Sequence, residues 1–349
     1  MSSLQLRSEL FVFDVPPLQG LPGLKMTAKR YHTPFSDSQG LTLLFAHGVG
    51  AHKEQWEPML QHLFSHQNMQ QPSCIREAWC FDWLNHGDAA IINKAALEHR
   101  SPGDVSIAEW AAAIASFVKS PFLNGHKLVG FGHSAGSSAI ILSTRAFPMR
   151  NQPFVAVFLL EPSMLTRELW MSHLIERETL VRKSINAALR RPSVFDTSEE
   201  AANYCRNRKP WAEFDHAVFD VFKRHAFYPV SIQDGSKKKT KVALKCDLHH
   251  EALAYQDIES HFEATDHYTR LCRVVPVHIV FGTVHDYIPS YFQDCMTDVS
   301  QGRSPASVKR VPGAGHNIVQ QTPEALAREI SISLNSIMKD STSHLVHRL

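Results

Sequence analysis

The chain has no apolar run long enough to cross a bilayer, since stretches such as residues 155–160 fall far below the roughly 18 residues a span needs. Its first residues include Ser, Gln, Arg and Glu rather than an uninterrupted apolar stretch, so neither a leader nor a transmembrane anchor is expected. Charge of one sign is lacking as well. The 36 Lys and Arg against 34 Asp and Glu leave a net +2, which gives no basic excess for nucleic acid or an anionic membrane. Electrostatics therefore names no partner. The six cysteines (Cys74, Cys80, Cys205, Cys246, Cys272, Cys295) are too dispersed for a disulfide framework and read as free thiols of a reducing compartment. The 21 histidines include no His-Glu-x-x-His, and no Cys-x-x-Cys occurs, so no structural metal is expected. Internal repeats and low-complexity segments are absent too.

What remains is an ordinary globular composition, 44% hydrophobic and 20% charged over 349 residues, enough for one sheet-centred core with an insertion. Strand-like stretches at residues 9–14 and 24–32, separated by Pro and Gly turn signals, predict an opening antiparallel hairpin. A buried strand at 41–46, a helix at 54–67, a strand at 77–81, a helix at 106–119 and a strand at 127–131 then alternate as in a parallel sheet with crossover helices. Another apolar strand covers 154–160, and the rhythm resumes at 274–281, a short strand near 307–311 and an amphipathic helix at 323–338. The fold class predicted is α/β, a mostly parallel central sheet flanked by helices.

Residues 162–272 have helical composition and little strand character, which predicts a helical cap inserted between core segments 1–161 and 273–340. Trp170, Met171, Leu174, Trp211, Phe214, Phe219, Phe222 and Tyr228 are candidates either to line an apolar cleft or to form the cap's own core. The run Lys237 to Lys241 reads as a solvated loop. Residues 341–349 form a tail whose last three, His347-Arg348-Leu349, vary the Ser-Lys-Leu peroxisomal address and would engage an import receptor. Without that import the chain would be cytoplasmic.

The segment Gly132-His133-Ser134-Ala135-Gly136 follows an apolar strand and precedes a small-residue helix, the setting of a nucleophile elbow. Flanking glycines suit it because a Cβ there would collide with the adjoining strand and helix. Serine needs a histidine base and a carboxylate to orient that base. In chain order after Ser134, Asp286 lies in the loop past the strand at 274–281, and His316 lies in the last such loop, within Pro-Gly-Ala-Gly-His-Asn. Asp286, whose loop has the more complete pattern, is the expected acid; Glu161, directly after the strand at 154–160, competes with it, and His285 is a weaker candidate for the base than His316. Oxyanion donors are expected from the amides of Ala135 and of Val49, in the His47-Gly48-Val49-Gly50 loop. The stretch Asn85 to Asp88 reads as a structural loop in which Asp82 and Asp88 bond local backbone.

Through His47-Gly48, residues 132–136, Asp286 and His316 the chain resembles the α/β-hydrolase fold superfamily, capped kind, over nearly its full length. With residues 81–90 and the terminal tripeptide, it also resembles a fungal branch holding a peroxisomal lipase and hydrolases of host-selective toxin biosynthesis. The reading is a serine hydrolase of a carboxylic ester or thioester with a moderately hydrophobic acyl part, acting through an acyl-enzyme without a cofactor. A serine at the elbow argues against the carboxylate mechanism of the similar epoxide hydrolases and haloalkane dehalogenases. Two alternatives stay open: an acyltransferase or product-releasing thioesterase of secondary metabolism, and a noncatalytic ligand receptor on the same fold.

Overall fold

The computed structural model describes residues 6–17, 22–69, 73–100, 105–234 and 237–346. The candidate address His347-Arg348-Leu349 lies outside them. The chain opens with β1 (Arg7–Asp14) paired antiparallel to β2 (Lys25–His32), followed by β3 (Leu41–Ala46), α1 (Glu57–Met69) and β4 (Ile75–Phe81). Two short helices, α2 (Gly87–Ile92) and α3 (Lys94–Glu98), precede α4 (Ile107–Val118). The side chain of Ser106 caps α4 by accepting from the Glu109 amide, the Ser-x-x-Glu spacing of a capping box. Next come β5 (Lys127–His133), α5 (Ala135–Ser143) and β6 (Phe154–Leu160).

All six residues of β3 and six of the seven in each of β5 and β6 are buried, as strands covered on both faces must be. They lie side by side in an eight-stranded sheet of order β1-β2-β4-β3-β5-β6-β10-β11, which β10 (Val277–Gly282) and β11 (Ser307–Val311) complete after the insertion. From β4 to β11 neighbouring strands are parallel. One core cluster joins Leu44, Trp79, Trp110, Phe117 and Ile140; the other joins Phe45, Trp56, Phe64, Phe131 and Phe158. Alternate residues of β3 thus feed opposite faces of the sheet.

The insertion carries α6 (Arg167–Ser172), α7 (Leu174–Leu189), β7 (Val194–Phe195), α8 (Ser198–Arg206), α9 (His216–His225), β8 (Phe227–Asp234), β9 (Lys237–Leu244), α10 (Leu248–Ala254) and α11 (Ile258–Leu271). It is not all-helical. β8 and β9 form an antiparallel hairpin along Phe227 to Leu244, and β7 pairs with β9 at Val242 and Ala243. The Lys237 to Lys241 run is therefore strand rather than solvated loop. Lysine is an edge residue of sheets, and β7 is too short to pair with the lysine part of β9, which leaves that stretch with only β8 beside it.

After β10 the chain forms α12 (Ser290–Met296), and after β11 it forms α13 (Ile318–Gln321) and α14 (Pro323–Val346). The six cysteines are unpaired. Among the described residues no helix is long and apolar enough to cross a membrane.

Beneath the sheet's opening edge, Asp82 does more than bond its local backbone. It accepts from the Thr27 hydroxyl at 2.7 Å, the Lys53 amide at 2.8 Å and the Asp88 amide at 3.0 Å, and holds Lys53 Nζ at 2.8 Å. Lys53, wholly buried, also meets Glu54 at 2.9 Å and Asp88 at 2.6 Å. Burial alone would lower its pKa, but these carboxylates outweigh it and the pKa rises. Lys245 reaches Asp88 from beyond β9 at 2.5 Å, so the network ties the insertion to the core.

Candidate active site

Strand register builds the site. Ala46 partners Gly132, and His133 partners Leu160, so His47, Ser134 and Glu161 step off the same sheet edge. Val280 in turn partners Leu160, and Gly282 partners Val311, which brings the loops after β10 and β11 to that edge as well. This is the carboxyl end of a parallel sheet, where such folds place their ligands.

Ser134 sits at φ 53°, ψ −121°, a strained conformation for a residue with a side chain, and it lifts the hydroxyl above the sheet. The turn closes only because its flanks lack side chains. A Cβ at Gly132 would lie 2.4 Å from the Gly136 carbonyl oxygen, and one at Gly136 would lie 2.2 Å from the Ala46 carbonyl oxygen. Ser134 Oγ is 3.0 Å from His316 Nε2 and 2.9 Å from Ser163 Oγ. With Ser163 donating, Ser134 keeps its own proton for His316. Ser163 was not visible as a site residue in the sequence; its signal is only that it follows β6 by three positions.

His316 is gripped from several sides. Its main-chain amide donates to Asp286 Oδ1 at 2.8 Å, its carbonyl accepts from His133 Nε2 at 2.8 Å, and the Tyr287 ring stacks on its imidazole at 4.9 Å. The structure brings Asp286 to His316, but to its backbone rather than its ring. The ring nitrogen away from serine, Nδ1, has no hydrogen-bond partner among the described residues, and Glu161 Oε2 faces it at 3.5 Å. Glu161 is buried, and its other oxygen accepts from the Gly282 amide at 2.6 Å. His285 is exposed and is not among the residues around the cavity.

The loop after β3 lies against Ser134, for a Cβ at Gly48 would come 3.1 Å from the serine Cβ. In that loop the Gly50 amide donates to His86 Nε2 at 3.1 Å and the Ala51 amide to the Gly48 carbonyl at 3.2 Å. Those two donors are spent, and Val49 and Gly48 also line the cavity. Ala135 heads α5, where a first-turn amide has no preceding helical carbonyl to bond. Histidines brace this loop in neutral form. His47 donates from Nδ1 to the Gly48 carbonyl at 2.7 Å and accepts the Trp83 amide at 3.1 Å, and burial lowers its pKa to about 4. Burial likewise pushes His133 down to about 3 and His86 well below its ordinary value.

A cavity of about 550 Å³ opens above Ser134 beneath the insertion, within the size range of small-molecule sites. Leu165, Leu180, Val181, Ile258 and Ile288 give it apolar walls. Of the cap aromatics, Trp170, Trp211 and Phe214 line it; Phe219 and Phe222 pack in the cap's own core with Phe195 and Phe227. Met171 is exposed, and Leu174 and Tyr228 are not among the lining residues. Sequence reading also missed His261, half-buried on α11, which lines the cavity, meets Ser138 Oγ at 2.8 Å, and is lowered by desolvation to about 4. Half-buried Arg191 is paired with Glu251 and lies 5.3 Å over the Trp211 ring.

No curated protein sequence matches the chain. Among solved structures it is similar to the peroxisomal alpha-beta-hydrolase Lpx1 of Saccharomyces cerevisiae, with 16% identity, TM-score 0.72, and 97% of this chain and 91% of that one covered. E-2-(acetamidomethylene)succinate hydrolase matches at 17% identity and TM-score 0.63, over 93% and 98% of the two chains. The thioesterase domain of the curacin biosynthetic pathway matches at 14% and 0.59, over 93% and 99%. At such identities these likenesses speak for the fold, and the sequence itself carries the membership: residues 43–329 match the Alpha/beta hydrolase family, and the chain belongs to it.

Proposed function

We propose that the chain is a serine hydrolase of carboxylic esters or thioesters with a moderately hydrophobic acyl part. The observation that carries this reading is the Ser134 hydroxyl, held up by a strained elbow at 3.0 Å from His316 Nε2. In it, Nε2 takes the Ser134 proton as Oγ bonds the substrate carbonyl carbon, and a buried carboxylate near the ring favours the resulting imidazolium. The carbonyl π electrons move to oxygen, where the amides of Val49 and Ala135 stabilise the charge. Collapse expels the alcohol or thiol, which leaves with the proton from Nε2. Water then enters and attacks the acyl carbon as it gives a proton to His316; collapse breaks the bond to Ser134 Oγ, which takes that proton back as the acid is released.

The apolar part of the cavity wall supports an acyl chain as the part buried there. The test is turnover of 4-nitrophenyl esters and acyl-CoA thioesters of increasing acyl length by the wild type and Ser134→Ala. Turnover that vanishes in the variant supports the reading, and the preferred length measures the cleft. No turnover by either protein overturns hydrolysis and favours acyl transfer to a specific acceptor, or ligand reception.

A further inference from the structure

We infer that the carboxylate acting on His316 is Glu161, in the loop after β6, and that Asp286 serves the main chain instead. The inference rests on Ser134 and His316 being nucleophile and base. Three independent features of the described residues point to it. The first is the division of contacts. Asp286 uses Oδ1 on the His316 amide at 2.8 Å and lays Oδ2 over Gly315, where a Cβ would come within 2.2 Å; Glu161 Oε2 faces Nδ1, the ring nitrogen left without a hydrogen bond.

The second is burial. Glu161 is 3% exposed whereas Asp286 is exposed. The Gly282 amide holds this buried carboxylate in place, and it acts on a nearby cation through a medium that screens little. The third is backbone strain. Among the described residues only two non-glycines have positive φ, Ser134 at 53° and Glu161 at 45°. Such strain persists where the surroundings enforce it and gathers at functional sites. The same loop sets Ser163 against Ser134 Oγ, so one short segment holds both ends of the relay.

Glu161 is a positioning residue. When Ser134 Oγ bonds the carbonyl carbon and its proton moves to Nε2, the imidazolium keeps its other proton on Nδ1, facing Glu161. No proton passes to the carboxylate. The titratable neighbours around His316 are His133 on β5, Glu161 after β6, His261 on α11, and Asp286 and Tyr287 after β10.

The experiment compares kcat, KM and the pH profile of ester hydrolysis for the wild type, Glu161→Gln, Glu161→Asp and Asp286→Asn, with thermal melting of each. Glutamine keeps the bond from the Gly282 amide. Its own amide N–H, set opposite Nδ1, selects the tautomer with the proton on Nε2, which cannot accept from serine. The expected result is a fall of about 10³- to 10⁴-fold in kcat with little change in KM. Loss of the negative charge also moves the acidic limb of the profile to lower pH, which a merely structural role would not do. Glu161→Asp recovers part of the rate. Asp286→Asn still accepts from the His316 amide, so it keeps more of the rate than Glu161→Gln, staying within about tenfold of wild type, and moves the limb less.

A Glu161→Gln enzyme within tenfold of wild type overturns the inference. So does a folded Asp286→Asn that loses 10³-fold or more, a result that decides even if Glu161→Gln does not fold. Wild-type protein without turnover would instead strike at the hydrolase reading itself.

Discussion

Gly136→Ala should damage catalysis more than its single methyl suggests. The new Cβ would lie 2.2 Å from the Ala46 carbonyl oxygen, 2.6 Å from its carbon and 2.6 Å from the His47 carbonyl oxygen, all main-chain atoms. Ordinary contact needs about 1 Å more, and no side chain can swing aside to supply it, so α5 and β3 must separate. Overpacking of this kind costs about 1–3 kcal/mol, and the rigidity of backbone on both sides puts this site at the upper end. The separation falls between the two elements that present Ala135 and the loop bearing Val49. A 1 Å error in that geometry costs about 10²-fold in kcat.

Thermal melting and ester turnover of the variant measure both effects, and Gly125→Ala is the control. Gly125 has φ 74° and open space within 4 Å of its Cβ position, so alanine there adds only strain of about 1 kcal/mol and leaves kcat unchanged. A Gly136→Ala protein with wild-type melting and wild-type kcat would refute the reasoning.

Two other predictions follow from buried charge. Lys53→Met removes the cation shared by Asp82, Glu54 and Asp88 and should destabilise by about 3–5 kcal/mol, read from denaturant unfolding; a loss under about 1 kcal/mol would mean the carboxylates protonate or hydrate freely. Burial holds His47 near 4, His133 near 3 and His261 near 4, all below the ordinary 6.5, so the unfolded chain binds more protons between those values. Stability should therefore fall as pH drops from about 6.5 toward 4, each histidine adding a slope of up to about 1.4 kcal/mol per pH unit. A melting temperature that is flat or rises from pH 6.5 to 5 would contradict it.

Much of the frame was legible because its signals are local. The unbroken apolar run of β6 and the short β11 have the limits their residues suggest, and the glycines around Ser134 and His316 mark tight turns whatever the rest of the chain does. The acid was harder to read because it depends on register. Leu160 and Val280 being partners brings Glu161 beside Gly282 and the His316 ring, a relation between strands more than a hundred residues apart. The pattern of a loop after a late strand favours Asp286, whose carboxylate reaches the backbone of the same histidine. The roles of His133 and Ser163 likewise come from tertiary approach. β9 was hidden by its lysines, whose polarity reads as loop until its hairpin partner β8 is seen.

The central claim is that Ser134 is the nucleophile, and intact-mass measurement after exposure to a 4-nitrophenyl alkylphosphonate tests it most directly. The account predicts one phosphonyl adduct per chain, mapped to Ser134, absent in Ser134→Ala and slow to form in His316→Gln. An adduct that persists in Ser134→Ala, or an unmodified wild-type protein, would contradict it.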